Sequence, residues 1–285
     1  MSEPASVAVL TSRLRVDDKR ILEALDRRNV AVAHVDTRTA WWPLDGGTPE
    51  WRLVLNREIG QIRAGYAARA LERLGVIGVN SASAIETCAD KWHTSIALRA
   101  AGLPTPRTAL AATPEAALSA LAAIGYPAVV KPLVGSWGRL VTTVPDPDLA
   151  RTVLEYVAAL PGPQAHIVYV QEYVRKPDRD IRVVVVGGEV LGAVYRYSAD
   201  WRTNVARGAR TERCALTDRI VELATTAAAA VGADLAGVDL VEDETGRLYV
   251  LEVNSGVEFA GFEQAYGGAV DVAGRIVDHV LARLA

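Results

Sequence analysis

Two apolar runs near the end of the chain, "AGVDLVE" and "RLYVLEVN", are separated only by "DETG". A connection that short lets its flanks return on each other only as antiparallel strands, so this stretch must form a hairpin. Setting the turn at Asp243 to Gly246 places Glu242 opposite Arg247 and Asp239 opposite Val250. Side chains alternate along a strand, so Asp239, Val250, Glu252 and Asn254 are predicted to project from one face. Asp239 and Glu252 would be diagonal neighbours, roughly 7 to 8 Å apart at the backbone. Like charges that close are costly without a cation or proton between them, and hard oxygen ligands lacking histidine suit Mg²⁺ or Mn²⁺. A sheet face turned to water also accommodates acids, so the hairpin alone leaves both readings open.

The rest of the chain divides around that hairpin. "SVAVLTS", "DDKRILEALDRRNV" and "AVAHVDT" form a strand, helix, strand opening, and "WRLVLNR" and "LGVIGVN" flank the helical "QIRAGYAARALERLG". Residues 1–84 are therefore expected to be a small α/β domain with a parallel sheet, without the GxGxxG of a dinucleotide site. A helix follows from about Ser83, stopped by Gly102, Pro104 and Pro106. Residues 85–168 then read as an α+β unit: two strands, "YPAVVKP" and "LVTTV", joined by a glycine-rich loop and backed by two helices. In residues 169–285, strands turn at "GG" and "ETG" around the alanine-rich "TDRIVELATTAAAAVG", which predicts an antiparallel sheet.

Composition narrows the function. Half of the 285 residues are apolar, enough for a large core, and the net charge of -3 argues against a chain built for non-specific nucleic-acid binding. Cys88 and Cys214 lie far apart, outside any CxxC spacing, which fits a reducing cytoplasm rather than a disulfide or zinc framework. No membrane span and no signal peptide are expected, since Glu3 stands where a basic end would be needed. The four histidines are scattered without ligand spacing.

Three further stretches carry candidate chemistry. In "VVKPLVGSWGRL", Lys131 ends an apolar strand, and Gly135 and Gly138 let backbone amides approach a ligand, as phosphate-holding loops require. A lysine point charge beside such a loop favours phosphate oxygens, although an ordinary hairpin loop has the same composition. In "YVQEYVRKPDRDIRVVVV", a strand running into Glu172, Tyr173 and Val174 leaves backbone groups at its end, a way to grip a purine edge or simply a strand exit. "YRYSADWRTNVARGARTER" holds Arg196, Arg202, Arg207, Arg210 and Arg213 against Asp200 and Glu212. Such a segment suits anionic substrates, or is a solvated loop.

Taken in order, "KPLVGSWGRL", "YVQEYVRKPDRDIRVVVVGG", "YRYSADWRTNVARGA" and "LEVNSGVEFAGF" resemble the RimK-like carboxylate-amine ligases of the ATP-grasp fold. The likeness is greatest to the LysX/ArgX type, which acts on the amino-group carrier protein LysW. The N-terminal "VAVLTSRLRVDDKRILEAL" and "NSASAIETCADKWHTSIAL" are similar to the same family, so the likeness covers nearly the whole chain. The resemblance implies an ATP-grasp fold, mixed α/β and α+β, with an N-terminal Rossmann-like pre-ATP-grasp domain. It implies ATP and Mg²⁺ or Mn²⁺ as cofactors, with Lys91 and Lys131 on the phosphates and Gly135, Ser136, Trp137, Gly138 and Arg139 closing over them. Glu172, Tyr173 and Val174 would bracket the adenine, Asp180 and Arg182 would organise the nucleotide pocket, and Asp239, Glu252 and Asn254 would hold metal. Asn204 and Arg207 would sit near the transferred phosphate, with Arg196 on the substrate side. Glu258, Phe259, Gly261 and Phe262 would line the substrate end.

The implied reaction joins the α-amino group of glutamate or α-aminoadipate to the side-chain carboxylate of the C-terminal glutamate of a small acidic LysW-like carrier, through an acyl phosphate. A homodimer or homotetramer is implied too. A sister reading is a glutamate ligase acting on a ribosomal protein tail; a reading of another class is a non-catalytic nucleotide-binding subunit. Where LysX-type chains carry a lysine after "EF", this chain has Ala260, then Gly261 and Phe262. The Gly-Phe pair resembles the glutamate-using branch, and a bulky Phe262 would shorten the pocket by about one methylene, worth roughly 1 to 3 kcal/mol of discrimination.

Overall fold

Period-two alternation decides which strand faces become core and which stay open. The computed structural model describes residues 6–47, 49–135, 138–198 and 210–285. At the N-terminus, β1 (Val7–Thr11), α1 (Val16–Asp26), β2 (Val32–Asp36), β3 (Leu53–Asn56), α2 (Gln61–Arg73) and β4 (Ile77–Val79) build a parallel sheet in the order β2-β1-β3-β4. Val7 and Val9 of β1 pack on Ile21, Ala24 and Leu25 of α1, the i, i+3, i+4 face of that helix. Ala8 and Leu10 turn the other way, against Ala67 and Leu71 of α2.

The helix expected from Ser83 is two helices. Ser81 caps α3 (Ala82–Ala89), and Asp90 breaks the run and caps α4 (Lys91–Ala100), its carboxylate accepting from the N–H groups of Trp92 and His93. The cap satisfies amides that a helix start leaves orphaned and fixes the direction in which Lys91 leaves.

The central unit runs β5 (Thr108–Ala111), α5 (Pro114–Ile124), β6 (Ala128–Pro132), β7 (Thr142–Val144), α6 (Pro147–Ala158) and β8 (Val168–Glu172). Its sheet is antiparallel, in the order β5-β8-β6-β7. Strand β8 straddles the boundary expected at 168/169, and its partners are β5 and β6, so this sheet draws on both sides of that boundary. Ala128, Val130, Val168 and Val170 meet Leu121 and Leu154 of the two helices. Their neighbours Val129, Lys131 and Gln171 point to the opposite, open face.

The C-terminal sheet is antiparallel as the turns predict. It comprises β9 (Arg179–Val186), β10 (Glu189–Tyr197), β11 (Arg210–Cys214), β12 (Leu235–Glu242) and β13 (Leu248–Asn254), with α7 (Asp218–Ala230) between β11 and β12. The order is β11-β10-β9-β12-β13. Ile181, Val183, Val185, Val238 and Leu240 pack on Leu223, Ala224 and Ala227 of α7. After α8 (Ala260–Ala265), the last helix α9 (Val272–Leu284) crosses back to the first domain, where Ile276, Val277 and Val280 join Val7, Val9 and Leu25 in one core.

The hairpin register differs from the expected one. Glu242 pairs with Leu248, and a β-bulge between Asp239 and Leu240 sets Leu240 opposite Val250 and Asp239 directly opposite Glu252. The extra residue, Leu251, turns Val250 into the α7 core instead of onto the face of Asp239.

Polar links tie the first domain to the C-terminal sheet. Buried Asn80 donates to the carbonyls of Leu235 (2.7 Å) and Ser255 (3.0 Å) and accepts from the Leu235 N–H (2.7 Å). Replacing it by alanine leaves buried backbone groups unpaired, so Asn80→Ala should lower unfolding free energy by about 2 to 4 kcal/mol. Urea denaturation should show this as a lower midpoint with unchanged steepness.

Candidate functional site

The open faces of the central and C-terminal sheets look onto one cleft, closed at a third side by the N-terminal domain. Lys91, Lys131, Gly135, Gly138, Arg139, Glu172, Tyr173, Val174, Asp180, Arg182, Arg196, Asp239, Glu252, Asn254 and Glu258 all line it. Ser136, Trp137, Arg202, Asn204 and Arg207 lie outside the described residues.

Two lysines enter from the central unit. The N–H of Lys91, the first residue of α4, donates to the Leu133 carbonyl, and its Nζ donates to the Gly135 carbonyl at 3.0 Å, tying that helix to the glycine loop. Gly138 sits at φ 64, a left-handed backbone that favours glycine. Lys131 Nζ donates to Gln171 Oε1 at 2.6 Å and lies 5.6 Å from the Tyr169 ring centre. Gln171, 3% exposed, is fixed in turn through its amide, which donates to the hydroxyls of Tyr169 and Thr108. Burial pushes the Lys131 ammonium down to about 8; nearby Glu252 opposes the shift and Lys91 reinforces it.

Facing them is an ion network on β9, β10 and β12. Arg196 donates to both oxygens of Asp180 (2.6 and 2.7 Å) and approaches Asp239 Oδ1 at 3.1 Å. Arg182 grips Asp239 bidentately at 2.5 and 2.9 Å. These partners sit together because Arg182 pairs across the sheet with Asp239, and Arg196 with Asp180. Desolvation raises the Asp239 carboxyl, yet Arg182 and Arg196 outweigh it and hold the group below the usual carboxylate range. Arg196 is 5% exposed, so it is a buried counter-ion within the cleft wall rather than part of an exposed arginine surface. Of the other cluster members described, Arg210 pairs with Glu212 and lies over Tyr197, and Arg213 lies over Tyr266.

The three residues expected to hold metal converge. Glu252 is opposite Asp239 in the ladder, and Asn254 Nδ2 approaches Asp239 Oδ2 at 3.4 Å. Among the described residues the Glu252 side chain receives no hydrogen bond and stands in no ion pair, so its oxygens face the cleft with full acceptor capacity. Asn254 spends its amide donors on Gly237 O and Asp239, which leaves its carbonyl oxygen for another partner. This donor set of carboxylate and amide oxygens fits a hard divalent cation. Asp239 is already neutralised by two arginines, and among the described residues no group of three or more His, Cys, Asp or Glu residues is placed to hold a metal ion. A cation here therefore needs further anionic ligands from a substrate, the usual arrangement for magnesium on phosphates.

The substrate end departs from expectation. Phe259 is fully buried, its N–H donating to Asp17 Oδ2. Phe262, 3% exposed, stacks on Tyr266 at 4.7 Å, and Gly261 accepts from the Thr211 hydroxyl. None of the three lines the cleft, so Phe262 does not shorten a pocket there; it is a core residue of α8. Glu258 alone of that group reaches the cleft, beside Arg15. Residues that sequence reasoning missed include Gln171, Arg15, Asn56 and Glu58, and the apolar wall of Val129, Val141, Val241 and Leu251. Alternation from Lys131 and Asp239 points to Val129 and Val241; for Arg15 the sequence carries no such signal.

Comparisons with known proteins show the family and the fold. A family model described as the RimK-like ATP-grasp domain matches residues 88–280, and one described as the LysX preATP-grasp domain matches residues 7–87. The glutamate–LysW ligase ArgX of Sulfolobus acidocaldarius is 31% identical over 276 residues, covering 96% of this chain and 97% of that protein. The α-aminoadipate–LysW ligase LysX of Sulfurisphaera tokodaii is 30% identical over 258 residues, covering 89% and 90%. The crystal structure of a RimK domain ATP-grasp protein from Sphaerobacter thermophilus superposes with a TM-score of 0.82 at 28% identity, covering 97% of this chain and all of that one.

The depressed Lys131 sets a pH dependence. Below about 8 its ammonium is charged and attracts phosphate; above that it becomes neutral. Affinity for a Mg–ATP analogue should be level at lower pH and fall by up to about tenfold per unit above the transition. Lys131→Arg should remove the fall. Equilibrium binding across the range checks this, and a flat wild-type profile up to about pH 9.5 contradicts it.

Proposed function

The chain belongs to the RimK-like ATP-grasp family, and from that premise we propose that it is an ATP-dependent ligase joining glutamate or α-aminoadipate to a LysW-like carrier protein. The observation that carries the reading is a single cleft in which two lysines face an oxygen shelf across an apolar wall. The lysines, Lys91 and Lys131, suit a polyphosphate; Val129, Val141, Val241 and Leu251 suit the faces of a purine. ATP-grasp ligases generally use ATP with Mg²⁺, and the shelf of Asp239, Glu252 and Asn254 is where the ion would be held.

The chemistry follows from charge. A carboxylate is a poor target for an amine, so the carrier carboxylate takes the terminal phosphoryl group of ATP and ADP leaves. The incoming α-amino group then attacks the acyl carbon, inorganic phosphate departs, and an amide remains after loss of a proton. A bound divalent ion would neutralise charge developing on the phosphate oxygens. Lys131, pinned by Gln171, and Lys91, pinned by Gly135, supply positive charge at fixed positions. Arg182 and Arg196 hold Asp239 ionised and oriented. No protein nucleophile is required.

The test is product formation with purified carrier, ATP, and either labelled glutamate or labelled α-aminoadipate. Ligation should appear as a mass gain on the carrier with one ADP released per amide, and the amino acid with the higher kcat/KM is the substrate. Glu252→Gln should lower ligation by about two to three orders of magnitude while leaving the thermal transition in place. A wild-type chain that modifies a ribosomal protein tail but not the carrier, or binds ATP without releasing ADP, contradicts the reading.

A further inference from the structure

At the N-terminal end of the cleft, a guanidinium and a carboxylate meet across the domain junction. Arg15 precedes α1, and its Nε and Nη2 clasp Asp18 at 2.9 and 3.2 Å, while Nη2 also donates to the Arg57 carbonyl at 3.1 Å. That leaves Nη1, which reaches Glu258 Oε1 at 3.3 Å. Arg15 is 19% exposed at its side chain and Glu258 49%, and both line the cleft. Asp18 is fully buried and shared with Arg57, itself fully buried, whose Nε donates to it at 2.9 Å. One carboxylate thus holds two guanidinium groups, which fixes Arg15 firmly while leaving its outer corner to a weaker, exposed partner. Glu258 stands four residues beyond Asn254, on the loop that leads from the oxygen shelf.

We propose that Arg15 and Glu258 are the receptor for the zwitterionic head of the incoming amino acid: Arg15 Nη1 takes its α-carboxylate and Glu258 takes its α-amino group. This rests on the ligase reading and adds the residues that select the amine substrate. A simple dianion or a phosphate is disfavoured, because Glu258 already stands on Nη1, the corner of Arg15 that among the described residues is turned neither to Asp18 nor to the Arg57 carbonyl. An α-amino acid brings both charges and exchanges one ion pair for two, with no charge left unpaired. The same contact places the nucleophilic nitrogen on the loop next to Asn254.

Calorimetric titration of the full chain, with a Mg–ATP analogue present, tests this without turnover. The probes are L-glutamate, α-aminoadipate, the α-amide of glutamate, and glutarate, which lacks the amine. Wild type should prefer glutamate to the α-amide by about 30-fold, and Arg15→Gln should reduce that preference to a few-fold while leaving nucleotide affinity unchanged. Glu258→Gln, at a half-exposed side chain whose one ion pair is with Arg15 among the described residues, should keep the preference over the α-amide and lose the preference over glutarate. Equal wild-type affinity for glutamate and its α-amide, no detectable binding of either glutamate or α-aminoadipate, or an unchanged preference in Arg15→Gln overturns the proposal. Failure to form the amide despite selective binding in wild type overturns the ligase reading and leaves the receptor intact.

Discussion

A buried aspartate with two arginines on it organises the C-terminal half of the molecule. Asp239, 6% exposed, lies in β12 next to β9, and a carboxylate in that position is tolerable only because Arg182 and Arg196 both reach it. Removing one partner would leave uncompensated charge, at a cost of about 3 to 5 kcal/mol. Asp180 completes the set, so two acids and two bases balance on one sheet face. With that set balanced, Glu252 stands as a carboxylate facing the cleft that Lys131 and Lys91 also line. That balance explains how the cleft can suit both a polyphosphate and the cation that accompanies it.

The same strand face serves two purposes along its length. On β9, Asp180 and Arg182 look into the cleft, whereas Val184 and Val186, two and four residues further on, sink into the core shared with α9 and the first domain. The site is therefore anchored directly on packing that crosses the domain boundary. Further links reinforce it: Arg28 with Asp278, Arg20 with Glu263, and the Phe259 N–H with Asp17. The N-terminal and C-terminal units share one core, and the central sheet, with Lys131 and the glycine loop, faces them across the cleft.

Much of this was legible in the chain because it depends on local rules. Two-residue alternation placed Asp239, Glu252 and Asn254 on one face. The short "GG" and "ETG" connections gave the antiparallel sheet, and the βαβ opening gave the parallel one. What stayed hidden depends on long-range geometry. The bulge at Leu251 has no local marker, although it converts a diagonal acid pair into a direct one and sends Val250 into the core. Phe262 reads as a pocket residue in the sequence, yet Tyr266 and Gly192 within β10 enclose it. Arg15 and Glu258 are 243 positions apart, and the packing of α9 on α1 with the Phe259 N–H on Asp17 brings their loops together.

The most direct measurement is anomalous diffraction from a crystal grown with Mn²⁺ and a non-hydrolysable ATP analogue. The account predicts manganese peaks at about 2.0 to 2.3 Å from oxygens of Glu252 and Asn254, bridged to phosphate oxygens that also contact Lys91 and Lys131. Manganese bound elsewhere, or nucleotide phosphates seated away from that strand end, would contradict it.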